Sequence, residues 1–135
     1  MKIKLGLVAA TALIGFTATV ANAQMNIISI LRQADGQAVI VGADGKFLGR
    51  LSSNRINDDS ICNPIGDHGS RIGDFSLWNT ISPYGDRISD TSAYNPRAGY
   101  PPRLVAEGVN IPITKNPRIQ GIDPDIIKIA MCDRN

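Results

Sequence analysis

The chain has 135 residues, 43% of them apolar and 19% charged, with a formal net charge of +2. That length bounds it to one modest domain. Two of its cations, Lys2 and Lys4, belong to an N-terminal leader; without them acids and bases are equal in number, which argues against nucleic acid or an anionic membrane surface as partner.

The leader is read from its order of parts. Lys2 and Lys4 precede an apolar run from Leu5 to about Phe16, and small residues end at Ala21-Asn22-Ala23. This is the arrangement of a secretory signal peptide, and the run falls short of the ~20 apolar residues that span a bilayer. The expectation is a signal peptide at 1–23, a single mature domain at 24–135 that does not span the membrane, and a periplasmic or extracellular location. Export leads to an oxidising compartment, where Cys62 and Cys132 are expected to pair. Closing the loop between those positions is worth roughly 4 kcal/mol by chain entropy. Two buried free thiols are the alternative. Two sulfurs and a distant His68 lack the ligand spacing of a zinc site, so no metal or cofactor is expected.

After the leader, residues 25–33 (MNIISILRQ) suit an apolar strand or a short helix equally. Residues 38–51 read AVIVGADGKFLGRL, with apolar flanks around Asp44-Gly45, and predict a hairpin.

The next stretch repeats itself. Residues 55–70, 71–86 and 87–102 align at a period of sixteen. Arg55, Arg71 and Arg87 share a column, as do Ile56, Ile72 and Ile88, with Leu104 next in line. Further columns hold Asp58, Asp74 and Asp90; Ser60, Ser76 and Ser92; and Asn63, Asn79 and Asn95. Aromatic positions run Cys62, Trp78, Tyr94 and His68, Tyr84, Tyr100. A fixed period predicts stacked units that cannot bury an apolar face alone. Each unit reads as a short strand, Arg-Ile-x-Asp, with Ile inward, plus two tight turns. The Ser and Asn columns would bond backbone at the corners. The remaining cations are mostly arginine and the acids, Glu107 aside, all aspartate, a choice that favours planar pairing of the Arg and Asp columns between neighbouring units or across a turn.

Residues 103–114 (RLVAEGVNIPIT) predict a second hairpin turning at Glu107-Gly108, with Pro112 at an edge or bulge. Asp123 then caps a short helix with Pro124 in its first turn, and Cys132 would tie that helix to the first unit. The fold class is therefore mainly β: two hairpins bracketing three stacked strand-turn units, with a short C-terminal helix.

The phrases DGKFLGRLSSNR, SICNP, SLWN, YGD, SAYNP and PPRLV resemble a widespread group of small, often secreted bacterial proteins. These carry tandem units of the type YGS-x-x-S-x-x-S-[IA]-[WFY]-N followed by PP and a hairpin. The resemblance covers roughly residues 42–123. It implies the architecture; the group has no assigned activity and supplies no catalytic motif. This copy departs from the pattern with Asp86 in place of Ser and with His68 in an aromatic column.

Chemistry finds little footing. The lone His68 lies inside GDHGS, beside Asp67 and Ser70, but a triad is built from distant elements meeting in space. The carboxylates recur with the period of the scaffold, which explains them without a glycosidase or calcium site, the two alternatives to a non-enzymatic reading. The remaining expectation is a binding or structural module of the bacterial envelope or extracellular space. Its ligand face would be the aromatic row Trp78, Tyr84, Tyr94 and Tyr100, set against an envelope glycan or another envelope protein.

Overall fold

A computed structural model describes residues 26–133. The expected signal peptide at 1–23 lies outside the described residues. The frame is a four-stranded antiparallel sheet with two short helices. The strands are β1 (Ala38–Val41), β2 (Phe47–Leu51), β3 (Arg103–Ala106) and β4 (Val109–Pro112), in the order β2-β1-β3-β4. Helix α1 occupies 26–33 and α2 is Pro124–Met131. No helix among the described residues is long and apolar enough to cross a membrane.

Both hairpins form where turn chemistry placed them. Gly45 and Gly108 each take a positive φ, which a residue with a Cβ adopts only under strain. Pro112 ends the outer strand β4, where its missing N–H interrupts no ladder. The two hairpins are also one sheet: β1 pairs with β3, Ile40 opposite Leu104. Residues 52–102 thus leave the sheet at the end of β2 and return to it at β3. The ambiguous segment 25–33 is helical through 26–33, burying Leu31, half-burying Ile27 and Ile28 and leaving Ile30 outside. That grouping fits a helical face and not an alternating strand. Its Arg32 Nε donates to the Ala130 carbonyl at 3.1 Å, joining α1 to α2. Asp123 caps α2, accepting from the Asp125 N–H at 2.8 Å, with Pro124 in the first turn. Cys62 and Cys132 form the disulfide, across a separation of 70 residues. Ile40, Leu48, Leu51, Ile61, Leu77 and Ile127 are among the core residues that sheet, turns and α2 share.

The repeated segment departs from the expected strand-turn units. It carries no strand of its own, only a single parallel bridge between Arg50 of β2 and Ser60. Gly49, at φ 125°, makes that approach possible, because a Cβ there would lie 2.8 Å from Ile61 Cγ2.

What the period builds is a run of turns. The N–H groups of Ser60, Asn63, Gly66 and Gly69 each donate to the carbonyl three residues back, and Ser76, Asn79, Ser82 and Gly85 do the same one unit later. A longer step follows in each case, closed by Ser70 N–H to the Gly66 carbonyl and Asp86 N–H to the Ser82 carbonyl. The third unit keeps this pattern at Ser92 and Ala98. It then reaches Pro102, which has no N–H to give. Three steps of three residues and one of four carry the chain from Asn57 to Ser70, and three more residues to Gly73 complete the sixteen-residue period.

This stepping reverses the place of the isoleucines. Ile56, Ile72 and Ile88 are 83%, 84% and 88% exposed, so the expected inward row is a solvent-facing one; only Leu104, on β3, is buried. Each isoleucine lies two residues past a step, its N–H held by the side chain of Asn54, Ser70 or Asp86. That places it at a turn apex, pointing out. The interior is taken by Ser60, Ser76 and Ser92, all with no exposed surface, and by Asn63, Asn79 and Asn95. Ile61, Leu77 and Ala93, one residue after each serine, supply the buried apolar atoms.

Candidate functional site

The polar columns are spent on backbone. Ser60, Ser76 and Ser92 accept from the N–H two residues on, at 3.0–3.1 Å. Ser60 and Ser92 also donate to the carbonyls of Asn54 and Asp86. Asn63, Asn79 and Asn95 donate to carbonyls six residues back and accept from Ile65, Ile81 and Arg97. No buried side-chain polar atom among the described residues lacks a partner.

The aromatic row does not form one face. Trp78 and Tyr84 are buried, Tyr94 is half-buried, and Tyr100 alone is well exposed. The Trp78 indole N–H donates to the Ile61 carbonyl at 2.7 Å, and its ring meets Tyr94 edge-on at 6.4 Å between centroids. Tyr84 donates to Asp44 in the β1–β2 turn at 2.7 Å. Burial first, and that bond second, push the Tyr84 phenol up to about 12, while the same bond is the main cause holding Asp44 below the usual carboxylate value. His68 packs edge-on against Phe47 at 4.9 Å and its Nδ1 lies 3.2 Å from the Phe75 carbonyl oxygen. Those contacts make it part of the seam between β2 and the turns.

The Arg and Asp columns do not pair with each other: among the described residues no ion pair joins Arg55, Arg71 or Arg87 to Asp58, Asp74 or Asp90. The planar pair that does form is Arg50–Asp59, at 2.9 Å. Of the column aspartates, Asp90 accepts from the Gly99 N–H at 2.7 Å.

The column arginines meet elsewhere. A cleft of about 330 Å³ is lined by Arg71, Leu77, Trp78, Arg87, Tyr94 and Lys128. A second, of about 460 Å³, shares Arg71, Trp78 and Lys128 and adds Arg55, Pro64, Ile72 and Asp133. The two make one groove along the seam between the turns and α2. Cys62 and Cys132 both line it, so the disulfide fixes its α2 wall. Lys128 Nζ sits 5.7 Å from the centre of the Trp78 ring. Behind it Tyr94 donates to Asp125 at 2.8 Å, and Lys115 bonds Asp123 and Asp125 at 2.9 and 2.6 Å. Burial first, then the Asp125 bond, drive the Tyr94 phenol far above its ordinary range. Partial burial pulls the Lys115 ammonium down, but the bonds to Asp125 and Asp123 outweigh it and raise the group overall. Lys115 in turn is the main cause holding the Asp125 carboxyl low.

Of the residues singled out in the sequence, the groove gathers Arg55, Arg71, Arg87, Trp78, Tyr94 and both cysteines. It leaves out Tyr84, Tyr100 and the Asp column. Lys128 had no signal in the sequence; the helix cap and the disulfide put it there. Among the described residues no group of three His, Cys, Asp or Glu side chains is placed to hold a metal ion. No protein-family model, curated protein or solved structure matches the chain.

Proposed function

We propose that the chain is an exported binding or structural module of the bacterial envelope or extracellular space, and that its ligand site is the groove between the turns and α2. The three sixteen-residue units act in this reading as a stacked scaffold whose Ser and Asn side chains hold backbone. The observation that carries it is the division of labour within the repeat. Serine, asparagine and the small apolar residues are consumed inside, while one arginine per unit is delivered to a single groove. Neither of these two clefts is lined by Asp58, Asp74 or Asp90, which supports binding rather than hydrolysis in this groove. A broad aromatic platform is likewise replaced by a smaller aromatic wall, Trp78 with Tyr94, overlain by charge.

Capture of material from envelope extract, purified peptidoglycan and envelope polysaccharides tests the reading. Wild-type protein is expected to retain one of them, and the double variant Arg71→Ala, Lys128→Ala to lose it while melting as the wild type does. No retention by the wild type, or retention indifferent to both substitutions, defeats the assignment of the groove.

A further inference from the structure

We propose that the groove takes an acidic polysaccharide chain, its carboxylates or phosphates received by Arg55, Arg71, Arg87 and Lys128; this rests on the reading of the groove as the ligand site. Four cations line the two joined clefts against one acid, Asp133. Cations are in excess here although residues 24–135 hold 12 Lys+Arg against 12 Asp+Glu, and although an aspartate follows each column arginine by three positions. Those aspartates stay out of both clefts. Arg71 and Arg87 make no hydrogen bond or ion pair among the described residues, and Arg55 gives one bond to the Cys132 carbonyl at 3.3 Å. Their guanidinium forks are therefore available for bidentate contact with carboxylate or phosphate oxygens.

The form of the ligand follows from the shape. The groove passes one arginine from each of three successive units, so it presents cations at intervals along its length and suits a chain with anions at intervals. Trp78 is only 9% exposed and lies under Lys128, which removes the open ring face that stacking of nucleobases requires. A duplex would in addition demand a basic surface far larger than four residues. An acidic glycan needs neither.

The test titrates disulfide-intact protein with polygalacturonate, with dextran as the uncharged chain and with a single-stranded oligonucleotide, at low and at physiological salt. Polygalacturonate is expected to bind, to weaken as salt rises, and to bind at least about tenfold more weakly to Arg71→Gln, Arg87→Gln, the loss of one to two charge-assisted contacts. Asp74→Asn, outside the groove, should leave it unchanged. Dextran binding equally, or the oligonucleotide binding as tightly, overturns the inference and leaves the groove a ligand site of another kind. Neither polysaccharide binding, while capture from envelope extract still depends on Arg71 and Lys128, has the same meaning. Failure of that capture as well removes both readings.

Discussion

Asn79 donates its side-chain N–H to the Gly73 carbonyl at 2.9 Å and accepts from the Ile81 N–H at 3.0 Å, so one amide ties together two turns that the chain visits eight residues apart. Asn63 and Asn95 repeat the arrangement in the flanking units. Asn79→Ala strands the Ile81 N–H and takes from the Gly73 carbonyl one of its two donors, the Ser76 N–H remaining. The expected loss is about 1–3 kcal/mol, read as a lower urea midpoint with an unchanged slope.

The outward isoleucines and the inward leucine make a paired comparison. Leu77→Ala is expected to cost about 2–5 kcal/mol. Ile72→Ala, at a turn apex, is expected to change stability by no more than about 0.5 kcal/mol. Equal losses in thermal or urea denaturation would mean that Ile72 is covered in solution.

Trp78→Phe keeps most of the ring volume and removes the donor to the Ile61 carbonyl. A buried acceptor is left unpaired, for an expected loss of about 1–3 kcal/mol. The same variant should retain groove binding under conditions where it is folded, since Lys128 and the arginines remain.

Breaking the Cys62–Cys132 bond frees a loop of 70 residues and unpins α2. The double variant Cys62→Ser, Cys132→Ser should lose about 2–5 kcal/mol. Intact mass with and without reductant checks the bond itself, and a groove that loses its α2 wall should bind more weakly even where the sheet is still folded.

Stability should fall at both ends of the pH scale, for two separable reasons. The Tyr84 phenol is raised in the folded chain from 10.0 to about 12, by burial and by Asp44. Its contribution is complete below the unfolded value and is lost as pH rises through the folded one. Asp44 and Asp125 are held below the usual carboxylate value by Tyr84 and Lys115 respectively, so their contributions are present above that value and lost as pH falls through the lowered ones. Tyr84→Phe should lessen the alkaline limb of a urea-midpoint profile, to which the raised Tyr94 phenol still contributes, and leave the Asp125 part of the acid limb in place.

The parts of the fold written in local chemistry were legible. Asp44-Gly45 and Glu107-Gly108 are turns because glycine alone supplies the positive φ, and Asp123-Pro124 starts a helix because side chain and ring both suit that position. The disulfide was expected from the count of two cysteines and the expected export. Arg-Ile-x-Asp misled because alternation is shared by a strand and by turns stepping every three residues. In the first Ile56 faces in, and in the second it faces out; nothing local to the tetrapeptide separates them. The deciding signal lay in the serine and asparagine spacing, which marks the steps themselves. The groove was hidden for a different reason: Lys128 reaches Trp78 through contacts between distant parts of the chain, the bond at Cys132 and the Tyr94–Asp125 hydrogen bond among them.

Because β1 and β3 are hydrogen-bonded neighbours, the sheet closes whatever the length of chain between them, and the turns set their own phase. Insertion of one whole sixteen-residue unit is therefore expected to keep the later serines in phase, where a shorter insertion is not. Loss of a single residue inside the run would instead throw every later serine to the surface and draw an isoleucine into its place.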